Sequence, residues 1–282
     1  RVECAPGLVG DTEYAMSIRD CRIVVVNDDG IDARGLSILE HAARCCSEDV
    51  WVVAPAENQS GRGRAMSWRQ NVQVESRGER RFAVHGTPAD CVLVALNGLL
   101  GARGADLVLS GINAGSNLAN DIGSSGTIGA CFEAAELGVP AIAFSQRHAG
   151  QGERSAWACA EDLTAPLLPH LFDALRAPRQ VLSVNYPAPA DGETVAGLEV
   201  THSGWRAGPI SIEERPSVRD RRVFHIYTIR EDEPNEPGCD LDLVRRGYVT
   251  VTPLGMDQTR HRDLADMRTR LQGVLPSTAT AD

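Results

Sequence analysis

Alternation constrains this chain more than any other feature. Short, continuously apolar runs recur along its first two thirds, each followed by a longer stretch with helical spacing. The strand-like runs are RIVVV (22–26), DVWVVA (49–54), DLVLS (106–110), PAIAFS (140–145) and QVLSVN (180–185). Helix-like stretches lie between them at 34–46, 88–99, 125–138 and 155–174. Strands that are apolar at nearly every position must be covered on both faces, and strands separated by helices run parallel. The pattern predicts an α/β protein with a Rossmann-like, doubly wound, mainly parallel sheet. One segment, NVQVESRGERRFAVHG (71–86), instead alternates around a glycine turn and predicts a hairpin.

After about residue 186 the pattern changes. YPAPADGETVAG reads as a Pro/Gly-rich connector and EDEPNEPGCD (231–240) as an acidic loop. Strand candidates follow at 196–202, 223–229 and 248–252, then a helix near 262–273. These elements carry too few apolar residues for a core of their own, so they are expected to pack on the preceding part or on another subunit. The 282 residues thus divide into an N-terminal extension (1–20), an α/β core (21–190) and a C-terminal oligomerisation segment (191–282).

Composition removes whole classes of function. All 28 basic residues are arginine. A Walker-A phosphate loop needs a lysine, and so does a pyridoxal Schiff base, so neither is present. The net charge of −10 argues against a nucleic-acid polymer as partner. Eight cysteines are scattered without a C-x-x-C pair, which reads as reduced thiols in a cytoplasmic protein rather than a zinc site or a disulfide framework. No apolar run approaches the roughly 18 residues that span a bilayer, and no secretory leader is expected in RVECAPGLVGDTEYAMSIRD.

Open parallel sheets bind ligands at the carboxyl ends of their strands, so the residues that follow each strand matter most. After the first comes NDDG (27–30), after the second PAENQSGRG (55–63), after the third SGINAGSNLANDIGSSGTIGAC (110–131), and after AIAF comes SQRHAG (145–150). Small hydroxyl and amide residues are unusually dense here. Asp28 and Asp29 repel each other, and one reading is that one caps the next helix while the other is solvated. A second is a divalent-metal site of hard oxygen ligands. A third, the nucleophile of a haloacid-dehalogenase-type phosphatase, fails because that pattern is D-x-D and position 30 is glycine. The Ser60 hydroxyl and the Asn113 amide oxygen, from two other strand ends, tilt the choice toward metal.

SSGTIGA (124–130) opens the next helix with small residues, whose exposed N–H groups at the positive end of the helix dipole form an anion site. Ser124, Ser125 and Thr127 would add hydroxyl donors around Gly126. The plainer reading is a tight strand-to-helix turn. GTPADCV (86–92) is structural: Thr87 suits an N-cap, Pro88 the first helical position, and Asp90 complements the dipole.

VVVNDDGIDARGL, VVAPAENQSGRG, HGTPADCV and DLVLSGINAGSNLANDIGSSGTIGACFEAAELGVPAIAFS, in this order, resemble the SurE family of stationary-phase survival proteins. SVNYP (183–187) and GYVTVTPLGMDQT (247–259) extend the likeness more loosely. The resemblance implies a divalent-metal-dependent phosphatase acting on nucleoside monophosphates, with 3′-nucleotidase and exopolyphosphatase activity as further expectations. It maps the ligands of one Mg²⁺ or Mn²⁺ per subunit onto Asp28, Asp29, Ser60 and Asn113. It also implies a homodimer or homotetramer whose C-terminal hairpin and helix are exchanged between subunits. The chain departs from the family at Arg34, where Pro is usual, at Ala65, near a usual Ser, and over 204–229.

The expected reaction is attack of water on a phosphate monoester, with Asn117, Ser125 and Thr127 stabilising charge on the equatorial oxygens beside Asp28. For the leaving-group proton, DQTRH places Asp257 four residues before His261, so the carboxylate can orient the imidazole; a surface ion pair is the plainer reading. Arg62 and Arg64 either touch a second phosphate or the base, or are solvated loop charges. A broad acid phosphatase for non-nucleotide esters is the near rival. A nucleotide sensor without turnover is the distant one, since carboxylates without a metal repel a phosphate.

Overall fold

The computed structural model describes residues 16–148, 153–175, 177–190, 193–206, 210–216, 222–228 and 236–272. Most of the expected extension (1–20) and half of the acidic loop lie outside them. The strands are β1 (Arg22–Val26), β2 (Asp49–Pro55), β3 (Val74–Gly78), β4 (Arg81–Val84), β5 (Leu107–Ala114), β6 (Ala141–Gln146), β7 (Val181–Tyr186), β8 (Gly197–Val200), β9 (Ile210–Arg215), β10 (Val223–Thr228) and β11 (Tyr248–Leu254). The helices are α1 (Arg34–Cys46), α2 (Pro88–Val94), α3 (Gly126–Glu136), α4 (Glu153–Ala174), α5 (Asp240–Arg245) and α6 (Leu264–Leu271).

Nine strands form one sheet in the order β3-β4-β2-β1-β5-β6-β7-β11-β8. The six from β4 to β7 in that order are parallel, and β3, β11 and β8 run against them. Burial on both faces is visible within β1 itself. Ile23 and Val25 point into a core with Leu36 and Leu39 of α1 and Trp157, Leu168 and Phe172 of α4. Val24 and Val26 point the other way, into a core with Cys91 and Val92 of α2 and Ile128, Cys131 and Ala135 of α3. This two-residue alternation is why the run is apolar throughout.

The predicted hairpin is the β3–β4 edge. Thr87 and Asp90 make the reciprocal capping box expected of GTPADCV, with Pro88 at the helix start, worth about 1 kcal/mol. Three expectations are corrected. The helix read as 88–99 is α-helical only to Val94 and continues in wider π-type turns. The strand read as 106–110 runs on to Ala114 past a register shift between Ser110 and Asn113, so Asn113 sits on a strand and not in a loop. Asp257 and His261 pair outside any α-helix, because residues 257–260 form no helical turn and a short 3-10 turn starts at His261.

In the C-terminal part, β8 and β11 join the main sheet, while β9 and β10 form a separate antiparallel ribbon. Neither β9 nor α5 is foreseen by pattern: α5 spans six residues, too short for a 3.6-residue period to register.

Candidate functional site

The chain passes from β1 to β2 on one side of β1 and returns with β5 on the other, so β1 and β5 flank a switch point of the sheet. In such sheets the crevice beyond the strand ends at that point is the ligand site. The turn after β1 occupies it. Asn27 is buried and pins this turn, accepting from the Gly30 N–H at 3.2 Å and donating to the Gly30 carbonyl at 2.9 Å.

Asp28 is 3% exposed, and its Oδ1 accepts the Thr127 hydroxyl of α3 at 2.7 Å. Burial pushes its carboxyl up to about 6, helped by the charge of Asp29 and opposed by the Thr127 bond. Among the described residues no arginine or histidine forms an ion pair with it. Asp29 is half-buried; its Oδ2 accepts the Ala114 N–H at the end of β5 at 3.0 Å, and Asn58 donates to its Oδ1 at 3.5 Å.

The two other loops are tied to the same turn. The Gln59 N–H donates to the Asp28 carbonyl at 2.7 Å, and the Ile31 N–H to the Pro55 carbonyl at 2.8 Å. Asn58 bridges, since its Oδ1 also accepts the Ser60 N–H at 2.9 Å. Two glycines permit the approach of α3. A Cβ on Gly126 would lie 2.8 Å from the Asp28 Cβ, and one on Gly129 would run into the Gly63 carbonyl oxygen. The glycines that a turn could explain are thus also places where the helix start touches Asp28 and the 55–63 loop.

The structure brings together Asp28, Asp29, Gly126 and Thr127 directly. Ser60 is exposed and one hydrogen bond removed, through Asn58. Asn113 neighbours Ala114 and donates its own side-chain N–H to the Gly115 carbonyl at 2.8 Å. Ser125 is the N-cap of α3, accepting from the Ile128 N–H at 3.1 Å, and Ser124 donates to the Asp121 carbonyl at 3.2 Å. Asn117 is buried in a network of its own: its Nδ2 donates to Ser145 Oγ at 2.9 Å, and its backbone N–H to Asn185 Oδ1 at 2.9 Å. His261 is exposed and paired with Asp257 at 2.5 Å, with no hydrogen bond to this cluster. Arg64 is bound to buried Glu133 at 2.9 Å, so it is not simply a solvated loop charge.

Sequence reasoning missed Asn58, Ser145 and Asn185. Asn58 had a signal, because Asn two residues before a backbone N–H favours an Asx turn. Ser145 and Asn185 close the runs PAIAFS and QVLSVN, and nothing local marks their common partner, Asn117, which lies 28 and 68 residues away.

The donors around Asp28 and Asp29 are all oxygens of carboxylate, hydroxyl or amide type, the chemistry of a hard divalent cation. A buried, unpaired carboxylate beside a second one fits such an ion, because a cation removes both the desolvation cost and the repulsion. Among the described residues there is no group of three or more His, Cys, Asp or Glu side chains able to hold a metal; a set of two carboxylates with neutral oxygens is of another kind.

Residues 23–208 match the family model described as survival protein SurE. A protein of Rhodospirillum rubrum named 5′-nucleotidase SurE is 43% identical over 246 residues, 84% of this chain and 91% of its own length. One of that name from Beijerinckia indica is 40% identical over 262 residues, 92% of this chain and 99% of its own. The crystal structure of the Sure protein from Aquifex aeolicus aligns at TM-score 0.73 and 30% identity, covering 88% of this chain and 98% of that one. With the motif loops gathered at one switch point and a match of this extent, the chain belongs to the SurE family.

Proposed function

We propose that this chain is a divalent-metal-dependent phosphomonoesterase that hydrolyses nucleoside monophosphates to nucleoside and phosphate, as the names of its relatives indicate for them. The observation that carries the reading is Asp28, a buried carboxylate without a cationic partner among the described residues, set against the N-terminus of α3. Asp28, Asp29, Ser60 and Asn113 would hold one Mg²⁺ or Mn²⁺ per subunit. When bound, that ion supplies Lewis acidity toward a phosphate oxygen and acidifies water.

The chain's own groups divide the remaining work. The first N–H group of α3, at Gly126, has no helical carbonyl to meet and forms an anion cradle with the Ser125 hydroxyl, while the Thr127 N–H is turned to Asp28. Ser125 accepts the Ile128 N–H, so its own hydroxyl proton is left to donate to phosphate. Thr127 spends its proton on Asp28 and so positions that carboxylate. Asn117, held by Ser145 and Asn185, and Ser124 complete the polar rim. His261, oriented by Asp257, protonates the leaving oxygen of a neighbouring subunit's substrate.

That last role needs exchange of the C-terminal ribbon and helix within a homodimer or homotetramer; of the segment from about 191 onward, β9–β10 and α6 act in assembly, while β8, α5 and β11 pack on the chain's own sheet. Ile212 and Ile226 on the β9–β10 ribbon, 62% and 65% exposed, support it. The seven described cysteines are free, five of them buried, which suits a cytoplasmic protein. No helix among the described residues is long and apolar enough to cross a membrane.

Release of inorganic phosphate from mononucleotides and non-nucleotide monoesters, each with Mn²⁺, Mg²⁺ or EDTA, tests the reading. Metal-dependent release favouring nucleotides is expected. Release that survives EDTA, or none from any substrate, overturns it.

A further inference from the structure

A cavity of about 390 Å³ opens beside the carboxylate pair, within the size range of small-ligand sites. Its wall includes Ala114, whose N–H is bonded to Asp29, so it starts one residue from the centre described above. Four of its lining residues are Arg147, His148, Arg206 and Arg245, and none is an aspartate or glutamate. Three arginines in one lining, with no carboxylate among the residues that line it, offer a group of guanidinium donors to an anion.

Three separate segments build it. Arg147 follows β6, its N–H held by the Tyr186 carbonyl at 3.0 Å. Arg245 ends α5. The Arg206 side chain is 4% exposed, its backbone N–H is fixed by Asn120 at 2.9 Å, and its Nη2 lies 3.2 Å from Asp121. A guanidinium has five donors in a planar fork, so one arginine can hold a carboxylate and a phosphate together.

We propose that this cavity receives a second phosphate group of the substrate, so that the preferred substrates are nucleotides phosphorylated at two positions of the ribose. The inference rests on the phosphomonoesterase reading: one phosphate lies over Asp28 and Asp29, and the other is held by Arg147, Arg206 and Arg245. The guanidiniums bind and orient; they take no part in bond breaking.

Calorimetry of the whole protein with adenosine 3′,5′-bisphosphate and with adenosine 5′-monophosphate reads this directly, without turnover. The bisphosphate is expected to bind at least about tenfold tighter, the scale of one charge-assisted contact. Arg147→Gln and Arg245→Gln should each bring that ratio toward one, whereas Arg270→Gln, on α6, should leave it as it is. Far-ultraviolet circular dichroism confirms that each variant is folded. Equal affinity for the two nucleotides, or a preference that survives both substitutions, overturns the proposal. Tightening of monophosphate binding by free inorganic phosphate, with no bisphosphate preference, also overturns it, because the cavity then takes a separate anion. Absence of phosphate release from every nucleotide overturns the hydrolase reading alone, since the binding ratio is measured independently.

Discussion

Replacing Asp28 with Asn should stabilise the metal-free protein, the reverse of what a substitution at a buried polar site usually does. Asp28 titrates at about 6 in the folded chain against 3.8 when exposed. Holding it ionised at pH 7 therefore costs about 3 kcal/mol, at about 1.4 kcal/mol per pH unit. The sign follows from proton binding. Between the two values the folded state binds more protons than the unfolded, so the metal-free protein loses stability as pH rises from about 4 to 6 and levels off above. Asn removes the charge, keeps an oxygen for the Thr127 hydroxyl and changes little in volume. Thermal unfolding at pH 7 in EDTA should show the variant higher by roughly 6–12 °C, using about 2–4 °C per kcal/mol for a chain of this size. Saturating Mn²⁺ should behave oppositely. It should raise the wild type by a similar amount, about 2.7 kcal/mol at a hundred times its dissociation constant, and leave the variant unmoved. Metal-dependent hydrolysis should be abolished. A metal-free variant less stable than wild type, or one that Mn²⁺ stabilises equally, would refute the assignment of Asp28 as an uncompensated ligand.

Gly126→Ala places a methyl 2.8 Å from the Asp28 Cβ; overpacking of about 1–3 kcal/mol and loss of the Mn²⁺-induced thermal shift are expected, read by the same melts. Arg64→Gln leaves the buried Glu133 without its ion-pair partner and should destabilise by about 3 kcal/mol in urea unfolding, with the KM for mononucleotides unchanged. A raised KM would instead place Arg64 on the substrate. His261→Ala should lower kcat about a hundredfold, the scale of a general acid; an unchanged kcat leaves Asp257–His261 as a surface pair.

Much of this architecture is written locally. The five apolar runs of the core became five adjacent parallel strands because each must be covered on both faces, and α1 spans the residues its spacing marks. GTPADCV carries its own cap, since every bond of the capping box spans three residues. Asp28, Asp29 and the start of α3 were legible as strand-end residues for the same reason: topology sends all such ends to one side of the sheet.

Tertiary structure decided what local pattern cannot carry. The register shift between Ser110 and Asn113 extends β5 far enough for the Ala114 N–H to meet Asp29, 85 residues away in sequence. Thr127 reaches Asp28 across 99 residues, and the arginines of the neighbouring cavity come from three segments. None of these contacts leaves a trace in periodicity or turn chemistry, which report only on neighbours along the chain. The sequence by itself determined which residues stand at the strand ends and that two of them are carboxylates. Only the packed structure determined that Asp28 is shut away from water with a hydroxyl for company, because desolvation is a property of everything that surrounds a group.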